Sequence, residues 1–249
     1  MSLLYNLFLD ELAKLGFKVN EYERCAVNKI INGKQCTLVW YVDDVKVSHV
    51  DEIVVSDIIK YLQKEFGNLT ITRGKKYQYL GMNMEFCENN KVAIIMFNIK
   101  EALEMVSGGV KGVTTTPAKK NLFDVDSKSQ VLDQDWRYNF HSVITKLWWV
   151  SKRGRPDLEL SLSFLCTRVA TLNIDDCQKL ERVLTYLSCT KDERGIIGIN
   201  NIYVMNTYID VRYALYPNMC GHTGGAISFG HDIVHSKASK QKINVKSST

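Results

Sequence analysis

The sequence predicts an α+β fold: antiparallel hairpins with helices on one sheet face, then a helical segment, then a shorter β region. Three observations carry this. Apolar residues at helical spacing open the chain, and β-branched runs broken by positive-φ turn residues follow. From residue 138 the pattern is helical again, until short strands return past Gly195.

Leu3, Leu4, Leu7, Phe8, Leu12 and Leu15 lie on one helical face, and Gly16 stops that helix. "CAVNKIINGKQCTLVWYV" reads as a hairpin turned at Asn32-Gly33. "LVWYVDDVKVSH" is itself strand, tight turn, strand, because Val45 and Val47 resume the alternation. Apolar residues at 53, 54, 58, 59, 62 and 66 predict a second amphipathic helix over 51–66, ended by Gly67. "KKYQYLGMNMEFCENNKVAIIMF" is a further hairpin, turned at Glu88-Asn89-Asn90. Residues 108–135 are polar and aperiodic, a long connection. Helices are predicted over 138–151, 156–171 and 174–188, with Pro156 in a first turn and Asp157 at the positive end of the dipole. "GIIGIN", "YVMNTYID", "GGAISF" and "DIVHSK" then read as short strands.

With 249 residues the chain can bury a sizeable core in one large or two smaller domains. A net charge of +5 favours a polyanionic partner but falls far short of a histone-like binder. No apolar run is long enough to span a bilayer, and the N-terminus lacks the pattern of a secretory signal, so no membrane partner is expected. Seven cysteines with no CxxC pair argue against a disulfide framework and for a reducing compartment, where they serve as apolar filler. Cys220, His222, His231 and His235 raise the idea of zinc. Across a strand-like run, however, His231 and His235 would stand about 13 Å apart, too far for one ion.

Asp43 and Asp44 need a reason. Neighbouring strand side chains point to opposite faces, so two adjacent carboxylates converge only at a tight turn. Like charges that close are costly unless a cation sits between them. Mg²⁺ is the fitting occupant, since it takes carboxylate oxygens and leaves positions for phosphate. Paired ions about 3.5–4 Å apart clamp the attacking and leaving oxygens in phosphoryl transfer. The plain alternative is an unrelated scaffold in which Asp simply suits a turn.

Tyr41-Val42-Asp43-Asp44 between β runs resembles the metal-binding hairpin of the reverse transcriptase palm. "LFLDELAKLGF", "YLGMNM", "ITKLWWVSKRGRPDLELSLSFL" and "DDCQKLERVLTYLSCTKDERGI" are similar, in order, to segments of copia-type retrotransposon polyproteins. "CGHTGGAISFG" after Tyr208-Ile209-Asp210 resembles the start of the ribonuclease H domain that follows in that family. The resemblance implies a palm over 1–107, a linker over 108–137, a helical thumb or connection over 138–194 and a partial ribonuclease H-like sheet over 195–249. It implies Asp43 and Asp44 as catalytic ligands of a Mg²⁺ pair, and Asp210 as the first catalytic metal ligand of the hydrolytic site. Tyr41 would pack beneath the nucleotide or primer, and Leu80 and Gly81 would sit in the strand gripping the primer end.

The basic residues Arg73, Lys75 and Lys76, then Lys152, Arg153 and Arg155, suit sequence-independent phosphate contacts. Lys75, Lys76, Lys152 and Arg153, with Tyr41, Leu80 and Gly81, form the expected nucleic-acid surface. Of Trp148 and Trp149, adjacent on one helix, one is expected in the core and the other partly exposed. The implied partners are RNA template, DNA primer, their hybrid, dNTPs and any remaining polyprotein segments, in cytoplasmic particles whose product goes to the nucleus.

In the family a third carboxylate and the fingers lie upstream of this hairpin, and a run like Ser247-Ser248-Thr249 leads into the helix with the second hydrolytic carboxylate. The expectation is therefore a fragment with little polymerase activity alone. The alternative is a non-catalytic retroelement remnant that binds RNA–DNA duplex.

Overall fold

The computed structural model describes residues 3–89, 91–96, 98–104, 111–230 and 232–243. The chain forms two compact units, Met1–Arg73 and Gly74–Thr249.

In the first unit, helix α1 (Leu3–Lys14) ends ahead of Gly16, whose φ of +80° only glycine adopts cheaply. Strands β1 (Lys18–Val19), β2 (Ala26–Ile31), β3 (Lys34–Tyr41) and β4 (Asp44–Ser48) form an antiparallel sheet in chain order. The β2–β3 turn has positive φ at Asn32 (51°) and Gly33 (72°), as its Asn-Gly sequence predicts. Helix α2 (Glu52–Phe66) is capped by Asp51, whose side chain accepts from the Ile53 amide.

Strand β3 alternates, burying Cys36, Leu38 and Trp40. Both helices cover that face: the Phe8 ring of α1 meets Trp40 edge-on at 5.1 Å and Phe66 of α2 at 5.6 Å. Leu12, Leu38, Ile58 and Leu62 fill the core, each worth about 1.5–3 kcal/mol of burial. The two helices are also tied by the Tyr61 hydroxyl, which donates to Glu11 at 2.8 Å.

The second unit has two sheets. Strands β5 (Lys76–Tyr79), β6 (Met82–Phe86), β7 (Lys91–Met96) and β8 (Gly195–Gly198) make one antiparallel sheet. Strands β9 (Asn206–Arg212), β10 (His222–Ser228) and β11 (Ile233–Lys240) make another, with β10 central. Between them lie α3 (Asn98–Glu104), α4 (Gln134–Arg153), α5 (Glu159–Cys166) and α6 (Ile174–Cys189). Their core gathers Leu147, Val150, Leu158, Leu162, Phe164, Leu165 and Leu187. Gly154, just past α4, lets the chain press onto β7: a Cβ there would stand 2.9 Å from Met96 Cγ.

The architecture is the mixed α+β, antiparallel one that the sequence predicts. Several details differ or fall outside it, first among them Leu80-Gly81, which was expected within a strand and forms the turn between β5 and β6. Residues 195–198 pair with β7 and so complete the sheet begun at residue 76. The single helix predicted over 156–171 is a 3₁₀ turn, α5 and a second 3₁₀ turn, because the Thr167 hydroxyl and amide both take the Phe164 carbonyl. The connection is irregular as predicted where it is described, yet Leu122 is buried in the core. Cys36 and Cys220 are buried filler, whereas Cys87, Cys166 and Cys189 are exposed, and no cysteine among the described residues is bridged. Asn90 and His231 lie outside the described residues.

Candidate functional site

The Asp43–Asp44 site is the tip of the β3–β4 hairpin. Tyr41 pairs with Asp44, so Val42 and Asp43 form the whole turn. Val42 has φ +56°, a conformation a β-branched residue adopts only under strain. Asp43 and Asp44 are both exposed. Register puts Asp44 on the sheet face opposite the core, with Tyr41 and Lys46. Burial pushes the Lys46 ammonium below its ordinary range. Mg²⁺ is commonly held by one or two carboxylates while keeping several waters, and two exposed carboxylates at a tight turn fit that donor set. Among the described residues no group of three or more His, Cys, Asp or Glu side chains could hold a metal.

In the second unit the β5–β6 hairpin carries four predicted residues. Leu80 (φ 50°) and Gly81 (φ 73°) are its turn, both with positive φ. Lys75 is exposed, and Lys76 pairs with Glu85 at 2.7 Å on the adjoining strand. Trp149 of α4, 36% exposed, reaches this turn: its Nε1 lies 3.7 Å from where a Cβ on Gly81 would stand. The guanidinium of Arg153, one helical turn on, stacks on the Trp149 ring, with Cζ 3.0 Å from the centroid. Trp148 is half-buried and packs against the core, short of the full core position expected of one of the pair.

Lys152 is drawn inward. Its ammonium donates to Glu159 Oε1 at 2.6 Å and to the Ser236 carbonyl at 3.0 Å, while the Ser236 hydroxyl donates to the same Oε1 at 2.9 Å. This knot between α4, α5 and β11 was invisible in sequence, since Ser236 is distant and Glu159 looks like an ordinary helical acid. Arg155 is buried and works on the fold: it donates bidentately to Asp157 and to the Thr190 carbonyl and hydroxyl at the end of α6. Arg-Pro-Asp thus fastens two helices.

Asp210 is exposed and sits inside β9, paired with Gly224, since the strand runs on to Arg212. His222 is buried beside Tyr216, whose hydroxyl lies 3.0 Å from Nδ1. Burial lowers the His222 pKa and pushes Tyr216 up to about 12, so the phenol keeps its proton.

Among known proteins, the chain is 23% identical over 231 residues to the "Putative transposon Ty5-1 protein YCL074W" of Saccharomyces cerevisiae. That alignment covers 91% of this chain and 73% of that protein. No family model matches the chain, and no solved structure does. The similarity points to a transposon-related origin.

Proposed function

We propose that the chain is a segment of an RNA-directed DNA polymerase of a copia-type retrotransposon. The observation that carries this reading is the hairpin tip, where a strained two-residue turn presents Asp43 and Asp44 to solvent. The similarity to a transposon protein supports it. In this reading Asp43 and Asp44 hold Mg²⁺, which supplies charge neutralisation at phosphate oxygens during nucleotidyl transfer. Tyr41 shares the Asp44 face and supports the nucleotide or primer. The Leu80-Gly81 turn meets the primer strand, and Lys75, Lys76 and Arg153 contribute phosphate contacts. Lys152 would have to share its ammonium with Glu159 to do the same.

Residues 1–107 serve as palm, 108–137 as linker, 138–194 as thumb or connection and 195–249 as part of a ribonuclease H-like domain, with Asp210 its metal ligand. The substrates are dNTPs and an RNA template with a DNA primer, handled in cytoplasmic particles. The Asp43–Asp44 pair supplies two ligands, and paired-ion chemistry calls for more. Polymerisation therefore depends on carboxylates beyond this pair.

The second reading is a non-catalytic binder of RNA–DNA duplex, favoured by the grouping of Trp149, Arg153 and the β5–β6 turn. One experiment separates them: primer extension on poly(rA)·oligo(dT) with Mg²⁺, run beside duplex binding. Under the first reading, Asp43→Asn abolishes whatever incorporation the chain or its reconstituted polyprotein shows. Under the second, neither protein incorporates nucleotide and both bind duplex equally. Absence of both incorporation and binding contradicts both.

A further inference from the structure

Trp149 is the exposed member of the Trp148-Trp149 pair, and three features of its surroundings suit a ligand. It lies against a glycine turn, with its indole nitrogen 3.7 Å from the Gly81 Cβ position, so no side chain at that position stands between ring and hairpin. The Arg153 guanidinium lies over the ring, with Cζ 3.0 Å from its centroid, which places a positive charge against the indole. Trp149 keeps 36% exposure although Val150 beside it is fully buried, so α4 holds it at the rim of the core. An isolated exposed indole needs no explanation; one braced by a guanidinium at the tip of a hairpin is arranged to receive a planar group.

We propose that Trp149 and Arg153 form a stacking shelf for a nucleobase at the end of a bound nucleic-acid strand, positioned by the Leu80-Gly81 turn. This rests on the polymerase or duplex-binding reading above and names the contact that holds the strand end. Every base has a π face, so the shelf is tolerant of sequence, and Arg153 adds both stacking and attraction to phosphate. Gly81 keeps the turn low beside the ring. Trp149 is a binding residue here, without a part in bond making.

The test measures binding of the purified chain to a DNA primer on an RNA template with 2-aminopurine at the primer end, across a salt series. Trp149→Ala is expected to weaken binding about tenfold. Its slope of log affinity against log salt stays that of the wild type, because no charge is removed. Trp149→Phe keeps most of the affinity, and this variant guards against a folding defect in the alanine protein. In both variants the 2-aminopurine quenching seen with wild type falls. Equal affinity and equal quenching in wild type and Trp149→Ala overturn the shelf alone. Failure of the wild type to bind any such duplex overturns the shelf together with the reading it rests on.

Discussion

Tyr41 and Asp44 face each other as the last register pair of the β3–β4 hairpin, and only Val42 and Asp43 lie between them. A turn that short forces a positive φ, and here it falls on valine at 56°. Because Val42 is 78% exposed, its side chain contributes little packing to offset the strain. Val42→Gly is expected to raise the stability of the chain by about 1 kcal/mol, read as the urea midpoint. A loss of similar size would show that the turn is unstrained.

Arg155 spends its guanidinium on Asp157 and on the end of α6, and it is almost wholly buried. Arg155→Ala strands a carboxylate and an uncapped carbonyl. It is expected to cost about 3 kcal/mol in denaturant unfolding. Arg155→Lys should recover less than half, since an ammonium cannot span both partners. Wild-type stability in the lysine variant would refute the bidentate role.

His222 predicts a pH dependence. Its folded pKa lies below the ordinary 6.5 because burial disfavours the charged ring. The unfolded chain therefore binds the proton first. Stability contributed by the neutral ring is complete above that value, declines as pH falls through it, and levels off below the folded pKa. Melting temperatures taken from about pH 7.5 down to about pH 5 should fall for the wild type and flatten for His222→Gln. A slope unchanged by the substitution would assign the acid sensitivity elsewhere.

Much of this was legible in the sequence because local chemistry and tertiary packing agree. Asn32-Gly33 marked a turn through its φ preference, and apolar residues at 53, 54, 58, 59, 62 and 66 marked the second helix. The tight turn at Asp43 followed from alternation resuming at Val45. What was missed depends on contacts between distant residues. No local pattern announces that Gly195–Gly198 joins the β5–β7 sheet, that Lys152 meets Ser236, or that Arg155 reaches Thr190. Helix α3, described over Asn98–Glu104, was not read in the sequence. In the site itself, the turn was readable for Asp43 and Asp44, whereas Leu80-Gly81, read as part of a strand, is a turn, and the Trp149–Arg153 stack required the fold.

In the proposed function the hairpin tip binds a divalent cation through two adjacent carboxylates. Titrating the amide NMR spectrum with Mn²⁺, in competition with Mg²⁺, tests it most directly. Broadening is expected only at residues 41–46, reversed by excess Mg²⁺ and removed by Asp43→Asn combined with Asp44→Asn. Broadening centred elsewhere, or unchanged by that double substitution, would contradict it.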